Sequence, residues 1–82
     1  MPHYFFDVDD GDTVMRDAVG ITLPGREQAR VEALRSLPEL ASDLLLDGSL
    51  EGAARAFTVR VREDSERAVF EAKLLFVAKW LE

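Results

Sequence analysis

The sequence contains no cysteine, a single histidine (His3), and ten basic residues against sixteen acidic ones. Without cysteine the chain has neither a disulfide framework nor a thiolate metal site. The formal net charge of −6 disfavours nonspecific binding to nucleic acid or anionic membranes, because an acidic surface repels phosphate groups. The lack of cysteine also fits a reducing compartment, and we expect a cytoplasmic location.

Long apolar runs are missing as well. No segment approaches the roughly 20 apolar residues that span a bilayer, and the N-terminus lacks the basic stretch and apolar core of a signal peptide. We therefore expect no contact with a membrane. The 82 residues suffice for one small domain, and chains of this size often gain stability by pairing. Leu81-Glu82 is the pair that a common cloning site leaves before an affinity tag, so the predicted domain covers residues 1–80.

The N-terminal segment predicts a β-strand, because aromatic and β-branched residues alternate along it. Tyr4, Phe6 and Val8 fall on one face, and His3, Phe5 and Asp7 on the other. The first face is expected to be core. The aromatic ring on the second face raises the question of what covers it.

A tight turn and a second extended segment follow. Asp10-Gly11 is a strong hairpin signal, since glycine accepts the positive φ that tight turns need. Residues 13–17 are expected to return as a second strand. Gly20 marks either a bulge or a break into a separate short strand, and Pro24 ends the extended segment.

Residues 26–46 predict one amphipathic helix, ended by Asp47-Gly48. Pro38 conflicts with a straight helix because its ring removes a backbone donor. Two outcomes stay open: a kink at Pro38, which the unbroken phase of the apolar stripe favours, or a break in which Ser36 caps a second helix. The expected apolar stripe consists of Ala33, Leu34, Leu37, Leu40, Ala41, Leu44 and Leu45.

The C-terminal half predicts a second hairpin after a connector at residues 49–55. Residues 56–62 alternate cleanly, with Phe57, Val59 and Val61 facing inward, and residues 67–75 return after a polar turn at 63–66. The apolar tail, residues 74–80, either extends the last strand or forms a short helical turn. The predicted fold is therefore α+β: an antiparallel sheet of about four strands in the order ββαββ, with one helix packed on one face.

Two runs of residues carry a resemblance to a known family. The opening Met1–Val8 and the later Asp17–Pro24 fit the patterns Met-Pro-x-Tyr-Phe-Phe-x-Val and Asp-x-x-Gly-x-x-Leu-Pro. With the Ala-, Arg- and Glu-rich helix that follows, the chain resembles short single-domain proteins of unknown function from rhizobia and related alphaproteobacteria. The resemblance implies a bacterial origin but brings no activity and no functional residue.

The residues that usually carry chemistry occur in no recognisable pattern. The serines lie in no nucleophile motif, there is no glycine-rich phosphate loop, and His3 and Asp7 are about 13 Å apart along a strand. We expect no enzyme, no cofactor and no dedicated metal site. A cluster of aspartates around Gly11 fails the EF-hand pattern, which leaves weak divalent-ion or ligand binding at this acidic turn as a minor alternative.

The leading hypothesis is a protein–protein interaction module that forms a homodimer. Phe5, Phe76 and Trp80 are the residues expected to be left over once one helix has covered one sheet face, and exposed apolar patches indicate partners. The alternative is that the C-terminal tail folds back over Phe5 in the same chain. The candidate interaction surface consists of His3, Phe5, Arg60, Arg62, Phe76 and Trp80.

The arginines of the third strand allow a different reading. The order of elements resembles that of HicB-type antitoxins, which implies binding of a small toxin or a nucleic acid through Arg60 and Arg62. Against it stands the simpler expectation that both arginines form cross-strand pairs with acidic neighbours.

Overall fold

A computed structural model describes residues 1–46, 53–64 and 66–82. It has the predicted α+β fold: one antiparallel sheet with one helix, α1, packed on one face. None of the described helical residues forms a segment long and apolar enough to cross a membrane. In chain order the elements are β1 (His3–Asp9), β2 (Val14–Met15), β3 (Ile21–Thr22), α1 (Arg26–Leu46), β4 (Ala53–Glu63) and β5 (Arg67–Ala78).

The sheet has the order β2-β1-β4-β5, with β3 also paired to β1. Because β4 occupies one edge of β1, the two short strands share its other edge, at opposite ends. β5 pairs with β4 over its whole length and forms the far edge of the sheet. The tail therefore extends the last strand as far as Ala78, which decides between the two predicted outcomes. The predicted connector ends sooner than expected, since residues 53–55 already belong to β4 and residues 49–52 lie outside the described part.

The second predicted strand, residues 13–17, is wrong in its extent: only Val14–Met15 pair with β1, and Ile21–Thr22 form a separate strand. Gly20 thus marks a break rather than a bulge. The physical reason is Asp17, whose carboxylate accepts a hydrogen bond from the Phe6 backbone N–H at 3.0 Å. A side chain here takes the place of a strand neighbour, and residues 16–20 form a loop. The turn at Asp10-Gly11 is confirmed, with φ of +96° at the glycine.

Helix α1 continues through Pro38, so the less favoured of the two predicted outcomes, a break, does not occur. Ser36 does not cap a second helix. Its hydroxyl donates to the carbonyl of Ala33 at 2.9 Å, within the same helix. The first backbone bond runs from the N–H of Ala29 to the carbonyl of Gly25. The predicted stop at Asp47-Gly48 and the side chains of Leu44 and Leu45 lie outside the described residues.

The core lies between α1 and the centre of the sheet. The helix contributes residues four apart, a spacing that keeps them on one line of an α-helix. Leu34 was expected to join them, but it is exposed because it lies about 100° round the helix from Ala33. On the sheet side Phe6 and Val8 are only partly buried, while the other predicted residues are fully buried. The buried core consists of Tyr4, Ala29, Ala33, Leu37, Ala41, Phe57, Val59 and Val61.

Replacing Pro38 tests how the helix tolerates its proline. Pro38 is exposed, and Pro38→Ala restores a backbone donor at a helix-interior position. We expect the free energy of unfolding in urea to rise by about 1 to 3 kcal/mol. Ser42→Ala, also exposed on α1, is the control and should change it by less than about 0.5 kcal/mol. A loss of stability in Pro38→Ala would show instead that the packing of α1 depends on the proline.

Candidate functional site

The sheet face opposite the helix carries a buried ion pair. Arg62 on β4 lies next to Phe5 of β1, and its side chain reaches across to Asp7. Its Nε and Nη2 donate to Asp7 Oδ2 and Oδ1 at 2.7 and 3.0 Å, a bidentate pair. Nη2 also donates to the carbonyl of Asp17 at 2.8 Å. Arg62 is only 5% exposed although it lies on the face that no helix covers.

Two aromatic rings complete this cluster, which we call the Arg62 network: His3, Phe5, Asp7, Asp17 and Arg62. The guanidinium carbon of Arg62 lies 4.9 Å from the centroid of the Phe5 ring, within the range of a cation–π contact. The rings of His3 and Phe5 meet edge to face with centroids 5.0 Å apart. Phe5 is therefore covered by its own neighbours, and the C-terminal tail does not reach it.

Asp17 holds the loop that closes over the network. Its Oδ1 accepts from the backbone N–H groups of Val19 and Gly20, both at 3.0 Å, and its own N–H donates to Asp7 Oδ1 at 2.9 Å. Together with the bond from Phe6, one carboxylate therefore serves three backbone donors. The sequence interpretation missed Asp17. The available signal was the Asp-x-x-Gly spacing, since aspartate often accepts from backbone N–H groups two and three residues ahead.

His3 is bound at both ring nitrogens. Nε2 lies 2.8 Å from the carbonyl of Val19, and Nδ1 lies 3.1 Å from the hydroxyl of Thr22. A carbonyl only accepts, so Nε2 donates, and in the neutral ring Nδ1 accepts from Thr22. Both ring nitrogens therefore have a hydrogen-bond partner, and the histidine links β1 to the loop of residues 16–20.

The carboxylates of the network are held in their charged form. Hydrogen bonds from Arg62 lower the pKa of Asp7 and outweigh the opposing effect of burial. Burial raises the pKa of Asp17, but the backbone donors of Phe6, Gly20 and Val19 bring it below its ordinary value. The pair with Asp7 raises the pKa of Arg62. All three shifts favour the charged forms of the network, because each charged group has a matched hydrogen-bond partner.

The remaining predicted site residues, Arg60, Phe76 and Trp80, lie in three different places. Arg60 pairs with its cross-strand neighbour Glu71 at 2.7 Å, so both predicted cross-strand pairs of the arginines are confirmed. Phe76 was expected to be left over, which is wrong: it packs against the core on the helix face. Trp80 is 81% exposed beyond the end of β5. It lies about ten residues along the sheet from Phe5, since Ala78 pairs with Ala53 and Ala68 with Arg62.

The acidic turn is occupied by its own hydrogen bonds. Asp9 accepts from the N–H of Gly11 at 2.8 Å, and Asp10 accepts from the N–H groups of Asp12 and Thr13. Asp12 pairs with Arg55 at 3.1 Å. Within residues 1–46, 53–64 and 66–82, no three acidic or histidine side chains are grouped so that they could hold a metal ion.

A groove of about 420 Å³ lies between α1 and the β1 edge of the sheet. Its apolar part comes from Phe6, Val8 and Ile21 on the sheet and Leu40 on the helix. The rest of its lining comes from α1: the hydroxyl of Ser36 and the acidic side chains of Glu32, Glu39 and Asp43. The groove is therefore apolar on its sheet side and acidic on its helix side.

Residues 3–75 match DUF6894, a domain of unknown function. The chain belongs to this family. Its membership agrees with the resemblance to a family of unknown function, while the alphaproteobacterial range and the two sequence patterns remain predictions. No curated protein and no solved structure gives a significant match.

Removing the charge of Asp7 tests the network. Asp7→Asn leaves the buried Arg62 without its counter-ion, and we expect the free energy of unfolding at neutral pH to fall by about 3 kcal/mol. Glu27→Gln breaks the exposed pair with Arg30 on α1 and should cost about 0.5 kcal/mol or less. Urea titrations of both variants make the comparison. Equal losses would contradict a structural role for the buried pair.

The ion pair of Asp7 also predicts how the free energy of unfolding depends on pH. Because the folded-state pKa of Asp7 lies below its unfolded value of about 3.9, its stabilising contribution is complete above that value. It is lost as the pH falls through the folded-state pKa. We expect the unfolding free energy of the native sequence to fall steeply below about pH 4, and that of Asp7→Asn to fall less. Parallel curves in urea at several pH values would contradict this.

Gly20 offers a geometric test. Its φ is +70°, and a Cβ would lie 2.6 Å from His3 Nε2 and 2.7 Å from the carbonyl oxygen of Tyr4. Gly20→Ala should therefore cost about 2 to 3 kcal/mol of unfolding free energy. Gly25→Ala is the matched control, because its Cβ would meet nothing closer than 3.6 Å, and should cost less than about 1 kcal/mol. A similar loss in both would contradict the close approach at Gly20.

Proposed function

We propose that this protein is a non-enzymatic interaction module whose partner is a second copy of itself. The observation that carries the proposal is the apolar surface at the free end of the β4–β5 hairpin. Leu75 and Val77 on β5 are 70% and 59% exposed, and Trp80 follows them at 81%. Alternate residues of a strand share a face, so Leu75 and Val77 form one patch, opposite the face that α1 covers.

The polar side chains support a binding role over a catalytic one. His3, Asp7 and Asp17 make hydrogen bonds that hold the fold, and Arg62 is buried among them. The toxin- or nucleic-acid-binding alternative gains no support, because Arg60 and Arg62 are engaged by Glu71 and Asp7. Ion binding at the acidic turn gains no support either, because Asp9 and Asp10 accept backbone hydrogen bonds and Asp12 pairs with Arg55.

Sedimentation velocity from low to high micromolar concentration tests self-association. We expect the native chain to shift from monomer to dimer, and Leu75→Lys to weaken the dimer about tenfold by placing a charge in the apolar patch. Val19→Lys changes another strongly exposed apolar residue, 80% exposed, on the loop at the opposite edge of the sheet. It should leave the dimer unchanged. A strict monomer at all concentrations would overturn the proposal.

A further inference from the structure

The edge of β5 is long and open. Among the described residues, this strand pairs with β4 alone, so one row of backbone N–H and C=O groups along Arg67–Ala78 has no strand beside it. Proteins usually protect such edges with proline, inward-pointing charges or bulges. Here the only irregularity lies between the pairs Val61–Phe70 and Arg62–Ala68. From Phe70 to Ala78 the strand is regular and contains no proline.

Symmetry limits how two copies can pair along this edge. Two antiparallel edge strands in one sheet are related by a two-fold axis perpendicular to the sheet, so residues that lie opposite each other point to the same face. The residue numbers of two opposite positions must therefore differ by an even number. A slip by one residue is excluded because it would place every side chain on the wrong face.

The charges of β5 favour one of these registers. Glu71 and Lys73 lie two residues apart on the outer face, next to Arg60 and Thr58 of β4. With the two-fold axis at Ala72, Glu71 of each copy lies opposite Lys73 of the other. Moving the axis by one residue either way places Glu71 opposite Glu71 or Lys73 opposite Lys73. Like charges directly opposite each other are destabilising.

The neighbouring side chains fit the same register. Glu71 already accepts from Arg60, so each row would run Arg60, Glu71, then Lys73 of the second copy, with alternating charge. Lys73 forms no ion pair with any residue that the structure describes. On the helix face the partly buried Phe70 and Leu74 would lie opposite each other, with the small Ala72 at the axis.

We infer that two copies of this chain join their β5 edges into one continuous antiparallel sheet, centred on Ala72 and aligned by Glu71–Lys73 pairs. The inference rests on the proposed self-association and adds the β5 edge, with a register, to the apolar patch on the outer face of the same strand. Paired edges satisfy the open backbone groups of both strands. β5 itself carries two basic residues and one acidic residue, so this strand does not add to the charge repulsion between two acidic chains.

A single cysteine tests the register, because the native chain has none. In Ala72→Cys the two thiols would face each other across the axis, at a Cα separation of about 4.5 to 5.5 Å that a disulfide can bridge. Mild oxidation should therefore give a covalent dimer in high yield. Lys79→Cys is the control: two such thiols would stand about 46 Å apart along the strands, and only slow collisional cross-linking is expected.

Charge reversal tests the pairing without a cross-link. Lys73→Glu and Glu71→Lys each place like charges opposite each other twice and should each weaken the dimer about tenfold. An equimolar mixture of the two variants restores opposite charges in both pairs and should dimerise as the native chain does. Lys79→Glu makes the same charge change outside the strand and should have no effect. Circular dichroism of each variant checks that the fold is retained.

The outcomes separate this inference from the proposed function. A dimer that resists Ala72→Cys cross-linking and ignores both charge reversals overturns the edge pairing and leaves self-association through another surface. Efficient cross-linking through Leu74→Cys in place of Ala72→Cys overturns the register, because it moves the axis by two residues. A strict monomer overturns both. Failure of the mixture to recover the dimer also counts against the Glu71–Lys73 pairs.

Discussion

The buried guanidinium of Arg62 is the constraint on which the outer face of the sheet depends. A charge that is 5% exposed is tolerated only if its donors are matched, since an unpaired buried ion costs several kcal/mol. Asp7 supplies the counter-charge, and the carbonyl of Asp17 accepts a further bond. The loop of residues 16–20 must therefore be in place before Arg62 is satisfied. Strands β1 and β4 and this loop accordingly depend on one another.

The Arg62 network divides the outer face of the sheet into a covered part and an uncovered part. Near Phe5 the face is closed by polar contacts, by the ring of His3 and by the loop that Asp17 holds. Towards the end of the hairpin no described element covers it, and Leu75 and Val77 are exposed. One helix cannot cover both faces of a sheet. In this chain the Arg62 network covers the part of the outer face near Phe5. The uncovered part is where a partner has most apolar surface to gain.

Periodicity predicted most of the fold. The alternation around Val59 and the four-residue spacing of Ala33 and Leu37 identify the strands, the helix and the core, because both patterns report directly which face is buried. The short strands could not be predicted in this way. Residues 13–17 look like one strand, and it is a single side-chain acceptor, Asp17, that ends it by taking the N–H of Phe6.

The candidate site was predictable only in part, for a related reason. Arg60 and Arg62 alternate outward along their strand, so pairing with acidic neighbours follows from the pleat. Which carboxylate each one meets depends on strand order and register, which carry no local signal. Phe76 was misplaced because a run such as Leu74-Leu75-Phe76-Val77 is apolar on both faces. Pairing with β4 assigns Leu74 and Phe76 to the core face and Leu75 and Val77 to the outer face.

That assignment also explains why the edge of β5 is suited to its own copy. In an antiparallel pair with a two-fold axis, a pattern is self-complementary only if opposite charges are symmetric about one residue. Glu71 and Lys73 meet this condition about Ala72. Arg67 and Glu71 also lie an even number of residues apart, about Val69, but the register shift places Arg67 beside Glu63 and Glu71 beside Arg60, on opposite faces of the sheet. The irregularity near Val69 thus excludes the register centred on Val69. The regular stretch that follows is compatible with the register centred on Ala72, which the charges favour.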